Sequence, residues 1–379
     1  MLSVGHFITD MYPGFLAPVL PLLMVKFGFS MTFVGLLAAT SSFSTSLMQT
    51  VFGYLSDRIS HRFFIILGPV ISALFYSSIG YIPSKWILVF WLFLGGSGVA
   101  QFHPLAAKLT NQISESHKGK AMSVFVTGGS IGYAVGPLVV IAIIAFRDIH
   151  FVPVTIIPAF IFAFFMYRFT PVHTISRSFS GRLFKRSDFK QVTSIGIYVA
   201  LGALRGFVIM GFCTFIPILF SHWNYPLESG GFAIFTLIFM GAIGGLLGGF
   251  LTDRFSPKII IAVSFLLSGP ALLIFLNYSG LISYIALGLA GFLLYLSIPA
   301  VITQAQAAMP VHVGMVSSMV MGFAWGVGGI MVLLIGRAAD TFGLLQTLNV
   351  LALVPFIGFI FSLFLHVQRV EETRLPEYI

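Results

Sequence analysis

Long apolar stretches, broken by short polar punctuation, run through the whole chain. Twelve of them are long enough to cross a bilayer as helices: about 3–27, 31–55, 63–82, 85–107, 121–145, 150–170, 193–221, 227–251, 259–276, 280–308, 312–336 and 343–366. A spanning helix needs roughly 20 mostly apolar residues. None of the runs shows the two-residue alternation of a barrel strand. Inside lipid the backbone must satisfy its own hydrogen bonds, so these runs predict helices. The pattern predicts an all-α membrane protein of twelve transmembrane helices.

The longer polar break, from Pro171 to Gln191, carries Arg177, Arg182, Lys185, Arg186 and Lys190 and reads as a linker. It divides the chain into a six-helix bundle at 1–170, a cytoplasmic linker at 171–191 and a second six-helix bundle at 192–379. The halves repeat each other. Gly53-Tyr-Leu-Ser-Asp57-Arg58 returns 196 residues later as Gly249-Phe-Leu-Thr-Asp253-Arg254. Pro104, Gly119 and Ser123 return as Pro299, Gly314 and Ser318, each 195 residues on. Two related six-helix halves are a recurrent architecture of secondary transporters.

Composition narrows the class. The chain is 58% hydrophobic and only 8% charged, against about 25% charged in ordinary soluble domains. The net charge of +9 has a simpler source than nucleic-acid binding. With the N-terminus in the cytoplasm, fifteen of the twenty Lys and Arg fall in cytoplasmic segments. Lys26, Lys85, Arg147 and Arg337 fall outside, and Arg205 lies within a span. That bias predicts both termini inside a bacterial or archaeal cell membrane. The expected partners are lipid, protons and a small-molecule substrate, with a monomer as the working unit. The single cysteine, Cys213, excludes an internal disulfide framework and reads as packing. No nucleotide-binding loop, metal-type His/Cys cluster, cofactor motif or enzymatic constellation is visible, so an ion or substrate gradient is the expected energy source.

Few residues inside the spans can do chemistry. Asp10 is the acid well inside a span, and His6 lies one turn before it on the same face. The pair can exchange a proton; alternatively, Asp10 bonds a neighbouring helix and only orients the first span. His103, before Pro104, reads as a proton relay, a substrate contact or a packing histidine. Arg205, mid-way along the seventh span, offers a forked cation to a carboxylate, phosphate or phosphonate. Its structural alternative is an ion pair with Asp10. Gln49, Gln101, Gln304 and Gln306 add neutral polar groups, and Tyr133 and Trp325 are candidate cavity walls.

The segments GYLSDRISHR (Gly53 to Arg62) and GFLTDRFSPK (Gly249 to Lys258) resemble the loop motif of the major facilitator superfamily, in both its halves. The resemblance implies that, in the outward-facing state closed to the cytoplasm, Asp57 and Asp253 latch onto helix N-termini of the opposite half, near 313–315 and 119–121; in an inward-open state these contacts are expected to be broken. It implies that Gly53 and Gly249 permit the close approach, with Arg58 and Arg254 completing the motif. A solvated Asp-Arg loop pair is the plainer reading. A narrower likeness is to the fosmidomycin resistance family, carried by GHFITDMYPGFLAPVLPLL, AQFHPLAAK and LRGFVIMGFCTFIPILF, although Leu105 stands where that family often has an acid. Gly128-Gly129-x-x-Gly132-x-x-x-Gly136-Pro137 resembles the antiporter motif of drug exporters; small residues at this spacing are also ordinary helix-packing chemistry. The resemblance implies a proton-coupled exporter of small amphipathic or anionic compounds. Uptake of an organic anion by symport is the first alternative, and a non-transporting receptor or scaffold the second.

Overall fold

The computed structural model describes residues 1–58, 62–113, 118–169, 189–309 and 313–365. Twelve helices long and apolar enough to cross a membrane lie among them: α1 (Leu2–Phe27), α2 (Met31–Leu55), α3 (Phe63–Tyr81), α4 (Lys85–Thr110), α5 (Ala121–Phe146), α6 (Ile149–Phe169), α7 (Ile195–His222), α8 (Leu227–Arg254), α9 (Pro257–Asn277), α10 (Leu281–Ala308), α11 (Met315–Phe342) and α12 (Leu344–Leu363). Each matches an expected span. The expected linker lies outside the described residues, except Phe189–Gln191, which open the α7 helix. Two helices run about six residues beyond their expected ends, the fourth to Ile113 and α11 to Phe342 instead of 336. Arg337 and Asp340 therefore sit in the last turns of α11 instead of a loop, because the helix continues through Ala338 and Ala339 until Gly343 turns the chain at φ 87°.

Small residues let the helices approach. Along α5, Gly128, Gly132 and Gly136 face the carbonyl oxygens of Ser3, Phe7 and Met11 on α1. A Cβ at Gly132 would lie 2.1 Å from the Phe7 oxygen. The antiporter-like motif is thus, in this structure, the seam that seats α1, with Pro137 continuing it toward Gly14. Gly132→Val is expected to destabilise the protein by about 1–3 kcal/mol, through overpacking against rigid backbone. Gly249→Ala should be neutral or slightly stabilising, since its Cβ meets nothing within 4 Å. Thermal unfolding midpoints in detergent check both. Apolar side chains left exposed, such as Phe160 and Phe164 on α6 and Leu281 and Ile285 on α10, form faces suited to lipid.

The two halves meet at the end where α1 finishes and α2 begins. Gly336 on α11 packs against Met31, Gly35 on α2 against Leu333, and Gly329 against Ser42. On the other side, Gly231 of α8 packs against Ile141 and Pro137 of α5. Beyond Met48, α2 turns to α4 as its main packing partner. Both α2 and α11 carry a π-helical stretch where they converge, Phe43–Leu47 and Ser318–Phe323. Such wide turns often mark functional bends. The repeat-related stretches of α8 and α5 are regular α-helix.

Candidate functional site

Three side chains from two helices converge in the first half. His6 Nε2 lies 3.1 Å from Asp10 Oδ2, His103 Nε2 lies 3.2 Å from Asp10 Oδ1, and the two Nε2 atoms are 2.9 Å apart. The α-helical repeat places His6 and Asp10 on one face of α1, and α4 packs His103 against it. Both rings are fixed from behind. His6 Nδ1 donates to the Phe125 carbonyl at 2.7 Å, and His103 Nδ1 to the Val99 carbonyl at 2.8 Å. A carbonyl oxygen only accepts, so each Nδ1 holds the ring hydrogen. The Nε2–Nε2 contact then becomes a hydrogen bond only when one Nε2 carries an added proton, whose charge the Asp10 carboxylate balances. Phe125 stacks on the His6 ring at 4.1 Å, and a Cβ at Gly129 would strike that ring.

Asp10 Oδ1 is buried without a well-directed hydrogen bond. The His103 nitrogen, 3.2 Å away, is near enough for charge attraction. The Asp10 and His103 side chains keep about a fifth of their surface exposed, 20% and 19%, so small ions can reach the cluster. A mostly apolar, open groove of about 440 Å³ lies beside the same seam, lined by Ser3, Val4, Phe7, Ser123, Val124, Thr127 and Ile131. Gly128, next in the chain to the Gly129 that presses on His6, completes its lining.

Arg205 is buried, at 3% exposure, in the second half. It does not pair with Asp10, which has taken the two histidines as partners instead. Its Nη1 reaches the Ser297 hydroxyl of α10 at 3.5 Å, and its Nε is buried without a hydrogen bond. Tyr295, two residues before Ser297 on α10, stands edge-on to Trp325 at 6.2 Å. Among the described residues no carboxylate forms an ion pair with Arg205. Gln101 and Gln304 are buried, and the Tyr133 hydroxyl reaches the Met210 sulfur of α7 at 3.9 Å, bridging the halves. Gln49 donates to the Thr45 carbonyl within its own helix, and Gln306 to the Ser317 hydroxyl across α10 and α11.

The latch is expected only when the halves close at the termini end, and here they meet at the other end. Gly249 faces open space, and Gly53 meets Pro104 only at ordinary contact distance, 3.7 Å. Neither glycine permits a close approach between the halves here, because the halves meet at the other end. The side chains of Asp57 and Arg58, and the helix start at 119–120 and 313–314, lie outside the described side chains. Asp253 and Arg254 are exposed.

Similar chemistry occurs at the opposite end, through Asp340, which the apolar pattern places between spans. Its carboxylate accepts from the Met31 and Thr32 backbone N–H groups, both at 2.8 Å, and from the Thr32 hydroxyl at 2.5 Å. A carboxylate at a helix N-terminus satisfies free N–H groups and the positive dipole end. Here it spans the two halves. Asp340→Ala is expected to remove about 0.5–2 kcal/mol from this closed end. Spin labels on the loops after α1 and α11, in a Cys213→Ser background, should show longer and broader distances in the variant.

Twelve spans, two related halves meeting at one end and polar groups held inside them define a secondary-transporter fold. The chain belongs to the Major Facilitator Superfamily, whose family pattern matches residues 2–332. It is a multi-pass membrane transporter, not an enzyme. It is 26% identical to the uncharacterized MFS-type transporter YfnC of Bacillus subtilis, across 98% of this chain and 93% of that one. It is 24% identical to the fosmidomycin resistance protein of Escherichia coli, across 94% and 90%. In fold it is similar to a bacterial homolog of the human lysosomal transporter Spinster in its inward-facing, unoccupied conformation. The TM-score is 0.78 at 16% identity, covering 95% of this chain and 94% of that one.

Proposed function

We propose that this protein is a proton-coupled antiporter that exports small amphipathic or anionic compounds, with both termini in the cytoplasm of a bacterial or archaeal cell. The observation that carries the reading is the pair of unlike polar sites in the two halves. In the first half, Asp10, His6 and His103 form a proton-sized cluster that ions can reach. In the second, Arg205 is a buried cation that pairs with no carboxylate among the described residues, which suits an anionic load. Burying an Arg mid-helix costs about 2.5–3.5 kcal/mol on insertion scales, and a bound anion would offset part of that. The apolar groove beside α1 and α5 suits the greasy part of an amphipathic compound. Similarity to the fosmidomycin resistance protein supports drug export, and the Lys/Arg bias supports the orientation. In that orientation the open end faces the cytoplasm, as an exporter awaiting its load requires.

Gln101, Tyr133, Gln304 and Trp325 are further candidates for contact with the substrate, and the protein is proposed to act as a monomer. Uptake by symport would use the same groups with the opposite gradient response. Proteoliposomes with an imposed pH step distinguish the two. For antiport, an inward proton gradient drives substrate outward, whereas concentrative uptake along the proton gradient would reverse the assignment. Substrate flux insensitive to the gradient would overturn proton coupling.

A further inference from the structure

We propose that His6, Asp10 and His103 form a binding site for a divalent first-row transition-metal ion such as Zn²⁺, Ni²⁺ or Co²⁺. Two imidazole nitrogens and one carboxylate make up a donor set that selects these ions over Mg²⁺ and Ca²⁺, which favour all-oxygen sites. The spacing fits. Ligands bound at about 2.1 Å at right angles to one another lie about 3.0 Å apart. The two Nε2 atoms are 2.9 Å apart, and Asp10 offers Oδ2 to His6 at 3.1 Å and Oδ1 to His103 at 3.2 Å, with one donor atom from each residue lying within 4.8 Å of the others.

The surroundings fit as well. Histidines that bind metals almost always donate their other ring N–H to a carbonyl or carboxylate, which fixes the ring and its tautomer. Both histidines here do so, to the Phe125 and Val99 carbonyls. Each Nε2 therefore carries the free lone pair that a metal needs, and the two nitrogens lie 2.9 Å apart. Asp10 Oδ1, buried without a hydrogen bond, supplies the negative donor. His6 is also braced by Phe125 stacked on its ring and by Gly129 behind it. The partial exposure of Asp10 and His103 provides entry. Three protein ligands on one side leave further positions for water. The ion would tie α1 to α4 within the first half, at the atoms where the proposed proton would sit.

This inference stands apart from proton coupling, because binding is measured without transport. Titration calorimetry with ZnCl₂ on the untagged, detergent-solubilised full chain should show one saturable site per chain, with MgCl₂ giving none. His6→Ala, His103→Asn and Asp10→Asn should each weaken it by at least about tenfold, and Cys213→Ser should leave it unchanged. Zinc-edge X-ray absorption on the wild-type chain, which needs no variant to fold, should show imidazole and oxygen neighbours and no sulfur. Absence of saturable Zn²⁺ binding would overturn the proposal. So would affinity retained in all three ligand variants, or sulfur in the zinc shell.

Discussion

Asp10→Asn is expected to reduce proton-driven transport to the leak of protein-free liposomes while the protein stays folded in the membrane. The carboxylate is the one negative group in the His6–His103 cluster, and its charge balances a proton placed between the two Nε2 atoms. Asparagine keeps the size and two polar atoms but cannot carry or release a proton. Each imidazole retains its anchor on a backbone carbonyl, so the local packing should survive. Substrate counterflow without a pH gradient separates the two losses. It should persist in Asp10→Asn if only coupling is damaged. Unchanged proton-driven flux in this variant would move the coupling role to the histidines.

The second large effect is expected at Arg205. Arg205→Ala should weaken the binding of anionic substrates by about 10- to 100-fold, the worth of a charged hydrogen bond of about 1.5–3 kcal/mol. Neutral compounds should be affected far less. Stability supplies the counter-check. Arg205 holds only a long contact to Ser297 and a buried, unbonded Nε, so its removal takes away an unsatisfied charge. The thermal midpoint should hold or rise, which a purely structural arginine would not allow. Arg205→Lys should recover the charge but not the forked geometry, giving intermediate affinity. Equal losses for charged and neutral substrates would sink the assignment. So would a fall in stability that accounts for the whole defect.

Asp10 and Arg205 sit 195 residues apart, at the same offset that relates the two halves. Equivalent positions thus carry opposite charges in the two bundles, one paired with His6 of its own helix and His103 on α4, the other reaching toward Ser297 on α10. Coupling between them, if present, acts through the field or through movement of the halves, since no direct ion pair joins them.

The sequence by itself determined the class, the span number and the two-half repeat. Lipid imposes long apolar runs and internal hydrogen bonding, and both leave a one-dimensional trace. It also singled out Asp10, His6, His103 and Arg205, because an ionisable group inside an apolar run is conspicuous wherever it points. What it could not determine was which of them meet. His103 lies 93 residues from Asp10 along the chain, and only the packing of α4 on α1 makes one three-sided site from them. For the same reason a metal-type cluster was invisible in the spacing. Arg205 and Asp10 matched in repeat position, yet the histidines took the carboxylate. Asp340 escaped notice because its role depends on the backbone N–H groups of a helix some 300 residues earlier, and backbone donors have no signature in the sequence. Tertiary structure also decided which end is closed. The loop motif identifies a contact available to one conformation, whereas the packing of α2 on α11 selects the other.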